Sequence, residues 1–409
     1  MARVSDNNHK FKPTWQIVSF DGYDLPTAPT RDAATKGIIK FWRLFRNRDA
    51  KKESPEKKKD QLLKVSRPLL AKIVPTIDWQ PGAEVLDAKL RDWLDQQNQR
   101  SFVRFFIGPP YSGHADILRL WAVMHQTPMI EPPTAEQILS RDENWLDKVS
   151  QFKQPWVFPN LERSYLRHAE GLTLIRRFLE RAFLGQLGFG VIGCDSWGWS
   201  FLRKIWSVPA SDLLILKAFD GEQLTHIFRE QAILSTLGPL SFRESDSGKE
   251  ILSTVTPKKE EALPGSPYLA KLASHSRGIL GISWLGWRAG LYAEPEETKD
   301  SDSDSASRKR ALPQNTIWVR DIIEEMTIPS GSNHEVAFVL HFLLLHGKLT
   351  VDILIRLLPF SQGVITATLL QLKTAGIVEM IDDAWRVSAL GYPSARQFLK
   401  SNGYMVDQF

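Results

Sequence analysis

The chain has 409 residues, with 52 lysines and arginines against 47 aspartates and glutamates, and 43% of the residues are hydrophobic. This composition is ordinary for a globular protein, and the length predicts two or three domains. The single cysteine, Cys194, excludes an intramolecular disulfide and a cysteine zinc cluster. No apolar run approaches the ~18 residues of a membrane span, and Met1 does not open a secretory signal, so we expect a cytoplasmic protein.

The net charge of +5 is unevenly distributed along the chain. The stretch that begins at Lys36 and ends at Lys72 carries thirteen basic and four acidic residues and includes Trp42 and Phe45 at helical spacing. Such a stretch could bind nucleic acid or the surface of an anionic membrane, or it could be a solvated linker that aids solubility. We assign it to a basic, partly disordered N-terminal segment over residues 1–80.

Residues 81–292 alternate between apolar runs and amphipathic stretches, which predicts strands alternating with helices. This alternation is typical of an α/β domain, because parallel strands need long crossover connections. The predicted strands are 102–107, 155–159, 189–194 and 212–216, and the predicted last helix is 267–291. The polar stretches 243–266 and 293–314 are predicted to be a surface loop and a flexible linker.

Residues 315–409 have the pattern of a winged-helix domain, in which three helices precede a two-stranded hairpin. Ser361 is the predicted N-cap of the third helix, and Gly376 ends that helix. The predicted helices and strands are 335–346, 350–357, 362–375, 377–381 and 384–387.

Charge favours a protein partner for this domain. From residue 334 to the end of the chain, six basic residues balance six acidic ones, and two aspartates form the tip of the wing. DNA binding draws much of its affinity from the neutralisation of phosphates, and the third predicted helix offers only Lys373. We therefore favour protein docking over DNA reading.

A glycine-containing loop follows the first strand of the α/β region and precedes a helix. It has the glycine spacing of the P-loop motif G-x-x-x-x-G-K-[ST], in which backbone N–H groups and a helix N-terminus surround a phosphate. His114 and Ala115 replace the lysine that neutralises phosphates and the hydroxyl that holds Mg²⁺. ATP and ADP are therefore candidate ligands, whereas Mg²⁺ binding and efficient hydrolysis are not expected. The alternative is an ordinary turn before a helix. The candidate nucleotide-binding residues are Gly108, Pro109, Pro110, Tyr111, Ser112, Gly113, His114 and Ala115.

Polar residues follow two other predicted strands. Asn160 stands where an aspartate is expected, and Glu162 is the candidate catalytic residue because it could polarise a water. The alternative for Glu162 is a solvated glutamate at a helix start. Asp195 and Ser196 would face the γ-phosphate, or they would cap the next helix.

These features together resemble the AAA+ and STAND-type P-loop ATPases, with an origin-recognition-like layout, from about Pro75 to Tyr292. The resemblance implies an α/β, parallel-sheet P-loop NTPase domain with degenerate motifs, followed by the winged helix, and it allows for an oligomer. It also implies a sensor arginine in a helix after the sheet, for which Arg277 and Arg288 are candidates. Arginines on amphipathic helices also commonly lie along the surface or pair with acids.

The sequence favours a regulatory or scaffold protein with an ATPase fold that engages a partner through its winged helix. A second hypothesis is an active, atypical ATPase that uses His114 and Glu162. A third is a nucleic-acid or membrane-surface protein that uses the basic stretch. No metal site is predicted, because the nine histidines are scattered without the spacing of a zinc motif.

Overall fold

The computed structural model describes residues 13–23, 62–95, 101–151, 155–207, 213–235, 237–253, 266–294, 316–320, 325–329, 331 and 334–408. Residues 36–61 of the basic stretch, and nearly all of the predicted linker, lie outside the described residues. Polyanion binding by the basic stretch therefore stays a prediction. Among the helices in the described ranges, none is long and apolar enough to cross a bilayer.

A five-stranded sheet forms the centre of the α/β part, with the order β1-β6-β3-β5-β4. The last four strands in that order run parallel, and β1 is antiparallel to β6. The predicted α/β class with a parallel sheet is therefore confirmed, and the four predicted strands agree to one residue at each end. The strands are β1 (Ile17–Ser19), β3 (Val103–Gly108), β4 (Trp156–Phe158), β5 (Gly190–Asp195) and β6 (Leu213–Leu216).

Helices cover both faces of this sheet, because successive side chains of a strand point to opposite faces. Phe105 of β3 joins a hydrophobic cluster with α6 and α7, and Phe106 joins a second cluster with α2 and α3 on the other face. The helices described up to residue 294 are α1 (Arg67–Ile73), α2 (Gln80–Asp95), α3 (His114–Met124), α4 (Ala135–Ser140), α5 (Glu143–Val149), α6 (Thr173–Phe183), α7 (Ser196–Ile205), α8 (Gly221–Ile233), α9 (Pro267–His275) and α10 (Leu280–Ala289).

A second five-stranded sheet, which the sequence did not predict, packs against α8, α9 and α10. Its order is β2-β9-β10-β7-β8, and it corrects three sequence-based boundaries. The predicted loop 243–266 contains the end of β7 and all of β8. β10 follows the predicted linker in sequence, but it pairs with β7 and β9 and so belongs to the α/β part. The α/β part also begins before residue 81, because it includes β1, α1 and β2. The strands are β2 (Leu63–Lys64), β7 (Ser241–Glu244), β8 (Glu250–Ser253), β9 (Leu291–Ala293) and β10 (Thr316–Val319).

The single helix predicted over 267–291 is wrong, because the chain turns between α9 and α10. Arg277 and Gly278 have φ angles of 57° and 72°, in the left-handed region that ends helices. A Cβ atom on Gly278 would lie 2.8 Å from the backbone nitrogen of Phe219, so the turn also depends on a close backbone approach.

The C-terminal part contains three helices and a hairpin, and then one helix that the sequence did not predict. Ser361 Oγ accepts a hydrogen bond from the Val364 N–H, as expected of an N-cap. Asp382 and Asp383 both have positive φ angles, as a two-residue hairpin turn requires, and Leu349 forms a further bridge to Trp385. The elements are α11 (His334–His346), α12 (Val351–Leu357), α13 (Gln362–Thr374), β11 (Val378–Ile381), β12 (Ala384–Val387) and α14 (Tyr392–Ser401).

Candidate functional site

The glycine loop lies at the carboxyl edge of the main sheet, between β3 and α3. β3 has β5 on one side and β6 on the other, and ligands of open α/β sheets bind where the strand order reverses in this way. The Ser112 N–H donates to the Pro109 carbonyl, and α3 begins at His114. Gly113 has a φ of 87° and Tyr111 a φ of 68°, and a bulky side chain seldom adopts that conformation. Strained backbone of this kind clusters at functional sites.

The space inside the loop is filled by the loop's own side chains. Ser112 and His114 are each 4% exposed, and Ser112 Oγ lies 3.1 Å from His114 Nδ1. A Cβ atom on Gly108 would overlap Ser112 Oγ, and a Cβ atom on Gly113 would overlap the ring of Trp79. A phosphate in the loop would therefore compete for space with the Ser112 and His114 side chains.

His114 supplies no positive charge to the loop. Burial, helped by the nearby Arg119, lowers the pKa of the imidazole to about 3, so the ring is neutral near pH 7. Its Nε2 atom lies 3.7 Å from Asp195 Oδ1 and has no hydrogen-bond partner among the described residues. Ala115, in the first turn of α3, is half-buried and offers no side-chain ligand. The loop thus lacks both the cation and the hydroxyl of a complete P-loop.

The structure brings Asn160, Glu162 and Asp195 together beside this loop. The Asn160 side-chain amide donates to Glu162 Oε1 at 2.9 Å, and the Asp195 N–H donates to Glu162 Oε2 at 3.1 Å. Arg119 of α3 donates to the side-chain oxygen Oδ1 of Asn160. Glu162 is 1% exposed, so the alternative of a solvated glutamate is wrong.

The two acids hold protons more tightly than free carboxyl groups. Burial raises the pKa of Glu162, and burial together with the Glu162 charge raises the pKa of Asp195 well above its usual range. Arg163 opposes both shifts.

Asp195→Asn is expected to reduce the loss of stability at alkaline pH. The pKa of Asp195 is raised by folding, so this group's stabilisation is complete below its unfolded pKa and is lost as the pH rises through its folded pKa. Asparagine cannot ionise, so the free energy of unfolding should fall less from about pH 5 to about pH 9 than in the parent protein. Urea titrations across that range would measure it, with the exposed Asp92→Asn as the control. Parallel pH profiles for the parent protein and Asp195→Asn would contradict the assignment.

The C-terminal elements cover the candidate site. The Tyr111 hydroxyl donates to the Val387 carbonyl of β12, and the Arg386 guanidinium carbon lies 5.6 Å from the centre of the Tyr111 ring. A Cβ atom on Gly347 would lie 3.7 Å from Asp195 Oδ2, in van der Waals contact with the acid pair. From within the α/β part, the Gly281 N–H donates to the Tyr111 carbonyl at 3.0 Å.

A buried cluster that the sequence did not reveal joins the chain's end to Ser196. Asp407 is 2% exposed and accepts hydrogen bonds from Ser196 Oγ, the Tyr392 hydroxyl and Arg396 Nε. Asp195 occupies the N-cap position of α7, but its side chain makes no capping hydrogen bond. No local motif marks Asp407, because its partners lie in other elements.

The two sensor candidates occupy different places. Arg277 lies near Asp407 and Arg396, and burial lowers the pKa of its guanidinium. Arg288 donates to the Val74 carbonyl at 2.7 Å, in the connection that precedes α2. The structure therefore associates Arg277 with the Ser196 cluster, whereas Arg288 holds a backbone segment.

No protein-family model and no curated protein matches this chain. Among solved structures, the RuvB Holliday junction branch migration motor of Thermotoga maritima aligns with 13% identity and a TM-score of 0.28, over 80% of this chain and 94% of that one. A Walker-type ATPase of Pyrococcus abyssi aligns with 11% identity and a TM-score of 0.28, over 82% of this chain and 98% of that one. At such values neither similarity supports a conclusion about the fold or the function of this chain. Our conclusions are based on the sheet and the site described above.

Proposed function

We propose that this chain is a regulatory or scaffold protein of the AAA+ kind, with a degenerate P-loop that does not hydrolyse ATP efficiently. The observation that carries the proposal is the buried, neutral His114 at the position of the phosphate-binding lysine. Electrostatic stabilisation of the transferred phosphoryl group is the main catalytic requirement of this chemistry. A loop without a cation or a metal hydroxyl does not meet it. ATP and ADP remain the candidate ligands, and we expect their affinity to be weak because the Ser112 and His114 side chains fill the loop.

We assign the C-terminal part to a winged helix that docks a protein partner. Helices α11 to α13, the β11–β12 hairpin and the Leu349–Trp385 bridge support the assignment. The third helix exposes Val364 and Leu370, which are 41% and 52% accessible, and the wing tip is acidic. The acidic wing tip, and a third helix whose only basic residue is Lys373, favour a protein surface over DNA phosphates.

Tyr111 gives this scaffold a physical link between its two parts. The residue holds a left-handed backbone conformation inside the loop, and its hydroxyl binds the C-terminal hairpin. A ligand that changed the loop backbone would move the Tyr111 side chain and disturb that contact. The state of the loop and the position of the C-terminal part are therefore expected to depend on each other.

Restoring the missing groups tests the P-loop assignment. His114→Lys combined with Ala115→Thr is expected to tighten ATP binding in the presence of Mg²⁺ by at least about tenfold, the worth of one charge-assisted hydrogen bond. The control is His114→Ala with Ala115→Thr, which restores the hydroxyl without the cation. Calorimetry compares the two variants after circular dichroism has shown that both are folded. Equal affinities for the two variants would mean that the loop is an ordinary turn.

A further inference from the structure

Two histidines of α11 lie at the joint between the C-terminal part and the α/β part. His341 is 4% exposed and His346 is 1% exposed. The Arg167 N–H donates to His346 Nε2 at 3.4 Å, and the Tyr165 hydroxyl donates to the Leu345 carbonyl at 2.9 Å. The joint is therefore polar at its centre, within an otherwise apolar contact.

Both imidazoles have a ring nitrogen with no hydrogen-bond partner in the part of the chain that the structure describes. These atoms are His341 Nε2 and His346 Nδ1. Arg167 Nη1 lies 3.5 Å from His341 Nδ1, and its guanidinium carbon lies 5.5 Å from the centre of the Phe342 ring. A proton added to His341 would meet an existing cation rather than a carboxylate. At His346, backbone hydrogen bonds to Glu162 and Tyr165 favour the protonated ring but do not outweigh burial.

The other titratable and charged groups around the rings do little to stabilise a positive charge on either imidazole. Lys204 adds positive charge near His341, and Tyr404 presents its ring at 5.5 Å between centres. On the His346 side, the ring of Tyr165 lies 5.0 Å away, and Glu162 faces the histidine through its backbone. In the described ranges, neither His341 nor His346 forms an ion pair with an acidic side chain.

We propose that His341 and His346 weaken the contact between the C-terminal part and the α/β part as the pH falls, because their protonation favours release of the C-terminal part from the Glu162–Asp195 site. The inference concerns docking alone and holds whether or not the loop binds nucleotide. Its basis is the pair of buried rings with an unpaired nitrogen each, placed beside Arg167 at a joint between two parts of the fold.

The direction of the effect follows from proton linkage. Burial, with Arg167 as a further cause, lowers the pKa of His341 to about 4, and burial lowers that of His346 to about 3. An exposed histidine titrates near 6.5, so the released state takes up protons first as the pH falls. From about pH 7.5 to about pH 5, protonation of the histidines should by itself weaken docking about 30-fold per histidine and on the order of 10³-fold for the pair.

The buried acids act in the opposite direction. Because the pKa values of Glu162 and Asp195 are raised in the docked state, that state gains stability as the pH falls. The parent protein alone therefore reports a sum of two opposing effects. Variants that remove only the histidine titration isolate the effect that we assign to the joint.

Hydrogen exchange of the full chain tests the proposal. For each protein, the opening constant of the joint, read on residues 161–167 and 341–349 and corrected for intrinsic exchange, is compared at about pH 5 and about pH 7.5. The proteins are the parent, His341→Gln, His346→Gln, the double variant and His334→Gln, a matched control at the exposed start of α11.

For each protein we take the opening constant at pH 5 divided by the opening constant at pH 7.5. This quotient should be on the order of 10³-fold larger for the parent than for the double variant, and about 30-fold larger for the parent than for each single variant. His334→Gln should keep the parent ratio, and exchange in β3 should stay slow throughout. Each single variant decides the question by itself if the double variant does not fold. Equal ratios in the parent and the single variants, or loss of β3 protection together with the joint, would overturn the proposal.

Discussion

Gly113→Ala is expected to destabilise the protein by about 3 kcal/mol or more, because the new methyl group meets two separate penalties. The residue has a φ of 87°, where an L side chain is strained, and its Cβ would overlap the six-membered ring of Trp79. The Trp79 ring packs edge-on against Trp15, with 6.0 Å between the ring centres, so moving it aside would also disturb that contact. Urea denaturation followed by circular dichroism measures the loss.

Gly363→Ala is the matched control for this substitution. Gly363 lies in the first turn of α13, and a Cβ atom there would have no neighbour within 4 Å. Alanine should therefore leave stability unchanged or raise it by about 0.5–1 kcal/mol. If the free energies of unfolding of Gly113→Ala and Gly363→Ala differed by less than about 1 kcal/mol, the tight packing of Trp79 on the loop would be refuted.

Asp407→Ala is expected to cost about 3–5 kcal/mol, the usual effect of removing one partner of a buried ion pair. Arg396 would lose the carboxylate that offsets its charge, and the hydroxyls of Ser196 and Tyr392 would lose an acceptor. Urea denaturation again measures the change. The exposed Asp92→Ala is the control, and it should stay within about 0.5 kcal/mol of the parent protein.

Asp407→Asn separates the charge from the shape of this cluster. Asparagine keeps one acceptor oxygen but not the negative charge. The loss of unfolding free energy in Asp407→Asn should therefore lie between the losses in Asp407→Ala and Asp92→Ala. An Asp407→Ala protein as stable as Asp92→Ala would show that the chain's end does not hold the C-terminal part against α7.

The sequence predicts the main sheet well because the signal is local. The runs that became β3, β5 and β6 are short, apolar and rich in branched or aromatic residues, as buried parallel strands are. The second sheet was missed because most of its pairing is not local and because the local β7–β8 hairpin is rich in polar residues. Thr316–Val319 pairs with Ser241–Glu244, and nothing in either four-residue stretch indicates the other.

The glycine loop, Glu162 and Asp195 lie close together in the structure. The other candidates do not join them, because Ser196 and Arg277 lie near Asp407 and Arg288 binds the Val74 carbonyl. Glycine spacing located the loop, and parallel strand ends located Glu162 and Asp195. Burial shifts the pKa values of His114 and the two acids, however, and burial depends on elements far along the chain. The contact between Tyr111 and Val387 joins residues 276 positions apart, and no local pattern encodes it.

Calorimetric titration of the parent protein with ATP and ADP, with and without Mg²⁺, tests the central claim most directly. The claim is that a loop filled by its own side chains, with a neutral His114, does not serve as an efficient nucleotide site. We expect no saturable binding below about 1 mM of either nucleotide and no strengthening of binding by Mg²⁺. Saturable micromolar binding that Mg²⁺ strengthens, together with ATP turnover that His114→Ala abolishes, would contradict it.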